Sequence, residues 1–304
     1  MKINEAINKA RSLLKQNNID DANLQAKILI QYILKESQSY VIANGEKELD
    51  EYELNEYMLY INKIVNGLPI QYITNKQEFM KLNFYVDENV LIPQPDTEIL
   101  VEEVIKNCNN TKKNELKILD LCTGSGAIGI SLAKYIKNAK ITCTDISMKA
   151  LQIAKLNAER NLVHKNMNFI LSDLFNNINE NCFDIIVSNP PYIKTEIIES
   201  LEKQVQNEPH LALDGGKDGL DFYRNIVNNA FKYLKKDGML YLEIGYDQKD
   251  DVINLLKNVK NYGDMRCVKD LAGIDRVIIT KRKSSLVNYK QKIEIYYKTV
   301  YINL

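Results

Sequence analysis

An amide, two prolines and an aromatic ring, Asn189-Pro190-Pro191-Tyr192, stand directly after the apolar run Phe183-Asp184-Ile185-Ile186-Val187 and Ser188. Asn189 and Pro190 each precede a proline and are pushed toward extended backbone. Neither proline carries an N–H, so the segment is rich in carbonyl acceptors. That surface suits a planar NH2 group: the Asn189 side-chain oxygen and the Pro190 carbonyl can take its two hydrogens, and the Tyr192 ring can form an apolar wall beside it. An amide or aniline-like nitrogen is a poor nucleophile because its lone pair is delocalised. Orientation toward an electrophilic methyl is therefore the main help a protein can give. The plainer alternative is that Asn-Pro-Pro only ends a strand.

A second group lies upstream in "DLCTGSGAIGISLA", residues 120 to 133. Gly124 and Gly126, between a strand and a helix, let backbone approach a ligand near free helix N–H groups. The spacing Gly124-x-Gly126-x-x-Gly129 matches a dinucleotide fingerprint, while no lysine follows as in a phosphate loop. The next strand ends in Asp145 about twenty residues on, where a carboxylate can accept from both ribose hydroxyls. Asp145 can equally cap the following helix. Asp173 can accept from an exocyclic amino group or serve as a turn residue, and Leu174 can pack on a base. Together these imply a nucleoside cofactor. The acceptor-rich Asn189 segment favours a methyl donor over a dinucleotide, because no acid–base residue accompanies it to handle hydride chemistry.

These residues need a scaffold that gathers them. Apolar runs at 117–122, 140–145, 167–173, 183–189, 238–245 and 275–280 read as strands, with helical patterns between them such as 147–161, where Ala150, Ile153, Ala154 and Leu156 lie toward one side. Such alternation predicts an α/β fold with a mostly parallel sheet covered on both faces and ligands at the carboxyl ends of the strands. Residues 3 to 67 carry apolar positions three and four apart (Leu24, Ile28, Ile33; Leu54, Met58, Ile61, Val65), the pattern of a small helical domain. Asp20 or Asp21 is expected to cap one helix, and Asn66-Gly67-Leu68-Pro69 to stop the last. Residues 78–92 suggest a hairpin turning around Asp87-Glu88-Asn89, followed by a helix capped by Asp96 or Thr97. The expected organisation is a helical domain over 1–75, a hairpin linker over 76–95, a catalytic domain over 96–282, and a basic, tyrosine-rich extension over 283–304 of no assigned role.

Lys+Arg and Asp+Glu are both 40, so no bulk basic field exists to hold a long nucleic acid. The five cysteines are scattered without C-x-x-C spacing, which indicates neither a zinc site nor a disulfide framework. His164 and His210 are far apart beside no acidic cluster, so no metal is expected. The N-terminus mixes charge with apolar residues, unlike a signal peptide, and no apolar stretch is long enough to span a membrane. A cytoplasmic protein is expected.

In order and combination, "LPIQYI", "VLIPQPDTE", "ILDLCTGSGAIGISLA", "FDIIVSNPPYI", "EPHLALDGGKDGLDFYR", "LEIGYDQ" and "GIDRV" resemble the PrmC or HemK family within the class I S-adenosylmethionine-dependent methyltransferases. The resemblance runs from the N-terminus to about Lys281. It implies a Rossmann-like seven-stranded sheet with its last strand antiparallel, a small N-terminal helical domain and a hairpin linker. It also implies methyl transfer from S-adenosylmethionine to the side-chain amide nitrogen of the glutamine in the GGQ loop of class 1 peptide chain release factors. Carried over by position, the methyl-donor site is Cys122, Thr123, Gly124, Ser125, Gly126, Asp145, Leu174 and Asn189, and the glutamine-holding motif is Asn189, Pro190, Pro191 and Tyr192. The helical domain would dock the release factor, with no membrane or nucleic acid as partner. This chain departs from the family at Cys122, where a glycine is usual, at Gln94, where an arginine is usual, and in its tail from Arg282. Rival readings are an amino-methylating enzyme acting on adenine in DNA or RNA, a ribosomal-protein glutamine methyltransferase, and a non-catalytic module keeping the fold. The last is disfavoured because both donor loop and acceptor motif are intact.

Overall fold

A computed structural model describes residues 1–108, 113–179 and 182–284. Of the extension expected at 283–304, all but Lys283 and Ser284 lies outside the described residues.

The chain opens with five helices: α1 (Ile3–Gln16), α2 (Ala22–Leu34), α3 (Gln38–Ala43), α4 (Glu51–Val65) and the short α5 (Ile70–Thr74). In α1 the buried set is Ile3, Ala6, Ile7, Ala10 and Leu14, a stripe with helical period that meets Leu29, Ile30, Ile61 and Ile64 in one apolar core. Leu24 lies outside that core, more than half exposed; the buried face of α2 is Ala22, Ala26, Leu29 and Ile30. Asp50 starts α4 with a capping box, its carboxylate accepting from Glu53 N at 2.7 Å while the Glu53 carboxylate accepts from Asp50 N at 2.9 Å. Asp21 precedes α2 but does not cap it: φ is 50°, whereas an accepting cap needs extended backbone. Gly67, at φ 100°, ends α4 as expected, yet Leu68-Pro69 then leads directly into α5.

The hairpin is earlier and tighter than the sequence suggested. Strands β1 (Gln77–Phe79) and β2 (Leu82–Phe84) pair antiparallel through a two-residue turn at Met80 and Lys81, both at positive φ (50° and 57°). Asp87-Glu88-Asn89 forms a separate turn, in which the Asp87 carboxylate accepts from the backbone and side-chain amides of Asn89. Pro95–Thr97 make a 3-10 turn ahead of α6 (Glu98–Cys108), and neither Asp96 nor Thr97 caps it; both side chains serve the site described below.

From residue 116 the chain alternates β3 (Leu116–Leu121), α7 (Ala127–Tyr135), β4 (Ala139–Asp145), α8 (Met148–Arg160), β5 (Met167–Leu171) and β6 (Phe183–Ser188). The short α9 (Lys203–Gln206) and α10 (His210–Leu213) come next, then α11 (Asp221–Tyr233), β7 (Leu234–Glu243), α12 (Lys249–Asn258), β8 (Tyr262–Lys269) and β9 (Asp275–Arg282). The seven strands lie in the order β5-β4-β3-β6-β7-β9-β8, with β9 antiparallel to both neighbours and the first five strands parallel. Apolar clusters on both faces bury the central strands; every residue of β6 is buried. β8, absent from the candidate strands read from sequence, is an edge strand in which Asp264, Met265, Arg266 and Cys267 alternate polar and apolar before Val268 breaks the pattern.

The helical region is tied to this sheet through the linker. Tyr72 donates its hydroxyl to the Val90 carbonyl at 2.7 Å, and Asn75 Nδ2 donates to the Val86 carbonyl at 3.0 Å. Deeper in, Asn157 of α8 is fully buried: its Oδ1 accepts from Tyr85 N at 2.7 Å, and its Nδ2 donates to the carbonyls of Tyr85 (2.9 Å) and Ser125 (3.0 Å). An alanine there would strand one donor and two acceptors away from water. Asn157→Ala should therefore lose about 2–4 kcal/mol of stability, read by urea unfolding; a loss under about 0.5 kcal/mol would mean water replaces the amide.

Candidate active site

β3 and β6 are neighbours, and the chain leaves them to opposite sides of the sheet, so a crevice opens beyond their carboxyl ends. The Ser188 hydroxyl holds the two strand ends together by donating to the Leu121 carbonyl at 2.9 Å. Two cavities occupy the crevice. One, about 850 Å3 including space open to solvent, is lined by Cys122, Gly124, Asp145, Asp173, Leu174 and Asn189 among others. The second, about 750 Å3 on the same measure, is lined by Asn189, Pro190, Tyr192, Glu208, Glu243 and Arg276 among others. Asn189 borders both.

The loop after β3 is built from behind. Asp120 is fully buried, and its Oδ2 accepts from the Thr123 hydroxyl at 2.6 Å and from Gly129 N at 3.0 Å. Burial pushes its carboxyl up to about 7, against those donors, and Oδ1 has no hydrogen-bond partner among the described residues. A β-carbon on Gly129 would sit 2.7 Å from the Cys143 sulfur, so this third glycine lets α7 press on the sheet. Gly126, at φ 84°, starts α7. Thr123, Ser125 and Gly126 thus turn inward, while Cys122 and Gly124 face the cavity; a β-carbon on Gly124 would meet open space.

Asp145 faces that cavity at the end of β4. Its carboxylate accepts from Gly124 N and Ser147 N, each at 2.9 Å, and the cap of α8 is supplied instead by Ser147, whose hydroxyl accepts from Ala150 N. Burial raises the Asp145 pKa, with backbone N–H groups opposing. Leu174 is held at φ 45° with its side chain buried, and Asp173 beside it is exposed. An apolar cleft with a carboxylate at one wall and an unobstructed glycine at another fits an adenosine-like ligand. Cys122, where φ is 58°, stands in the left-handed region that favours glycine, and its thiol packs against the apolar cluster below the site.

On the acceptor side, the segment after β6 is clamped by residues far away in sequence. Ile193 N donates to the Leu213 carbonyl at 3.0 Å and Gly215 N to the Ile193 carbonyl at 2.8 Å. A β-carbon on Gly215 would lie 2.7 Å from the Tyr192 Cα, so the "LDGG" stretch can follow this path only with glycine there. Gln248 donates to the carbonyls of Tyr192 (2.9 Å) and Gly219 (3.1 Å). Burial pushes the Tyr192 hydroxyl up to about 12, keeping the ring neutral. Around it, Arg276 pairs with Asp96 at 3.0 Å and Asp270 at 3.1 Å. Gln94, where the family pattern has arginine, donates among the described residues only to the nearby Ile92 carbonyl.

Two buried carboxylates complete this wall. Glu208 accepts from Ile92 N at 2.8 Å, and burial lifts it to about 7. Glu243 is 1% exposed and also lifted to about 7 by burial, with Thr97, Arg276 and Asn189 opposing. Asn189 Nδ2 donates to the Thr97 hydroxyl at 3.2 Å. Reading residue by residue singled out Thr97 only as a helix cap and none of Glu208, Glu243, Gln248 or Arg276; only their placement inside the longer motifs signalled them. His164 and His210 are exposed and line neither cavity, although the neighbours of His210, Pro209 and Leu211, line the first.

Comparison with known proteins agrees with this geometry. Residues 94–266 match the family described as "Methyltransferase small domain", and residues 5–74 match the "PrmC N-terminal domain". The chain is 43% identical over 287 residues to a release factor glutamine methyltransferase of Clostridium acetobutylicum, covering 93% of this chain and 99% of that protein. It is 40% identical over 273 residues to one from Clostridium botulinum, covering 89% and 95%. Among solved structures, a Pyrococcus furiosus methyltransferase has the same fold, with a TM-score of 0.50, 20% identity, and coverage of 75% of this chain and 96% of that one.

Two outcomes follow from the wall residues. Cys122→Gly and Cys122→Ala both remove the thiol, but only glycine relieves the positive φ, so the glycine variant should be the more stable by about 1 kcal/mol in denaturant unfolding. Glu208→Gln keeps an acceptor for Ile92 N and removes a buried charge. A carboxyl raised to about 7 in the folded state costs stability as pH rises from its unfolded value, near 4.5, through 7. The glutamine variant should therefore gain stability over the parent at pH 8, and thermal melts should show the gain shrinking as pH falls toward 4.5.

Proposed function

Because the chain belongs to the release factor glutamine methyltransferase family, we infer that it transfers a methyl group from S-adenosylmethionine to a side-chain amide nitrogen, that of the glutamine in the GGQ loop of class 1 peptide chain release factors. The observation that carries this reading is that Asn189 borders both cavities: the donor enclosure on one side and the acceptor wall on the other meet at one amide.

Asp145 would accept from the ribose hydroxyls, Gly124 would admit the ligand against its backbone, and Leu174 with Asp173 would receive the adenine. S-adenosylmethionine supplies a methyl made electrophilic by its sulfonium sulfur. On the other side, Asn189 Oδ1 and the Pro190 carbonyl accept from the amide NH2 and fix its plane, and the Tyr192 ring excludes water. These acceptors favour the positive charge that develops on nitrogen as the new bond forms, and orientation replaces a strong base. The helices α1–α5, matched over residues 5–74, would dock the protein acceptor. An adenine amino group would suit the same acceptors, but Lys+Arg and Asp+Glu are equal at 40, which gives no field to grip a nucleic acid backbone.

The direct test is transfer of labelled methyl from S-adenosylmethionine to three acceptors in parallel: a class 1 release factor, the same factor with its GGQ glutamine replaced, and bulk DNA with RNA. Label on the intact factor alone is expected; label on nucleic acid alone would overturn the reading. Asn189→Ala should lower kcat by about a hundredfold with donor affinity nearly kept, whereas Asp145→Ala should weaken donor binding about tenfold by calorimetry.

A further inference from the structure

The acceptor role of Asn189 depends on which end of its amide faces the cavity. The two ends have nearly the same shape and opposite chemistry, since one accepts and the other donates. A flipped Asn189 would aim NH2 at the NH2 of its substrate. Nothing in the Asn189-Pro190-Pro191-Tyr192 segment selects the productive end, so the choice must come from behind.

Resting on the methyl-transfer reading above, we propose that Glu243 and Thr97 are positioning residues that hold the Asn189 NH2 away from the cavity and so present Oδ1 to the substrate amide. Asn189 Nδ2 donates to the Thr97 hydroxyl oxygen at 3.2 Å. A hydroxyl alone cannot set direction, because it both donates and accepts. An ionised carboxylate only accepts. Glu243, at the end of β7, is that one-way partner when ionised: burial opposes its charge, while Thr97, Arg276 and Asn189 favour it. A Thr97 proton turned to an ionised Glu243 would leave the hydroxyl's lone pair for the Asn189 NH2.

The cluster is buried, with Thr97 4% and Glu243 1% exposed, and it meets the acceptor cavity at Asn189 and Glu243. Glu243 Oε2 has no hydrogen-bond partner among the described residues, so the carboxylate depends on those few donors. Turning the Asn189 oxygen toward it would set two acceptors face to face at a buried position, a costly arrangement. Thr97 lies in "IPQPDTE" and Glu243 in "LEIGYDQ", about 150 residues apart, and the fold brings both to the back of Asn189. Neither needs to touch the reacting atoms.

The test measures kcat, acceptor KM, donor affinity and melting temperature in single and double variants, with a class 1 release factor as acceptor. Thr97→Val keeps the shape without the hydroxyl, and Glu243→Gln keeps the shape without the one-way acceptor. Each should lower kcat about tenfold or more, leaving donor affinity within about twofold. Thr97→Ser should recover most of the rate lost in Thr97→Val, which a packing role would not require. The double variant Thr97→Val/Glu243→Gln should be no slower than the worse single, since both break one relay. Multiplied losses in the double variant, or parent-like kcat in both singles while Asn189→Ala is slow, would overturn the relay. If Thr97→Val does not fold, Glu243→Gln carries the same comparison. Parent-like transfer by Asn189→Ala would instead sink the acceptor reading itself.

Discussion

Everything the site does depends on how β3 and β6 part company. The chain runs from β3 outward to β4 and β5, then crosses back to lay β6 on the other side of β3. Two adjacent parallel strands therefore send their following loops in opposite directions, and the space between the loops cannot be filled by either. The Ser188 hydroxyl, bonded to the Leu121 carbonyl, keeps the strand ends in register up to the last residue, so the gap opens abruptly. The donor loop forms one bank and the Asn189 segment the other. A nitrogen too weakly nucleophilic for base catalysis alone needs such a place, where two ligands approach along fixed lines and water is kept out.

Around that gap the protein uses buried polar groups as struts. Asp120 ties Thr123 and Gly129 beneath the donor loop. Glu208 ties the linker backbone at Ile92 to the segment before α10. Gln248 ties the Tyr192 and Gly219 carbonyls together. Each strut is expensive to bury, and the raised pKa of Asp120, Glu208 and Glu243 is the signature of that expense. The cost is tolerated because each group bonds backbone or side chains that would otherwise be free to move. The rigidity gained is local to the two banks, where misplacement by an ångström degrades chemistry.

Much of this was legible in the sequence. The alternation of apolar runs with helical patterns gave the parallel part of the sheet, because strands buried on both faces must be apolar throughout. Asp145 and Asn189 were legible because each ends such a run. β8 was not: an edge strand needs no continuous apolar face, and its alternation runs only from Asp264 to Cys267 before Val268 breaks it. The hairpin turn was misread because Met80 and Lys81 lack the turn chemistry that Asp87 and Asn89 advertise; the strands pair Phe79 with Leu82 and Gln77 with Phe84, and the Phe79 and Phe84 rings pack edge to face at 6.1 Å. Thr97 and Asp96 read as helix caps because local rules see only the next turn, while their partners Asn189 and Arg276 are supplied by tertiary contact. Glu208 and Gln248 share that character: their partners Ile92, Tyr192 and Gly219 lie 29 to 116 residues away.

The single amide of Asn157 answers to two masters, the linker backbone at Tyr85 and the donor loop at Ser125. The helices α1–α5 reach the sheet partly through this linker, which Tyr72 and Asn75 also grip. Re-angling the helical bundle would therefore drag on the loop after β3. Descendants of this fold can diversify cheaply only on the outward face of the bundle, by recolouring its surface, while the hinge between its two halves stays frozen.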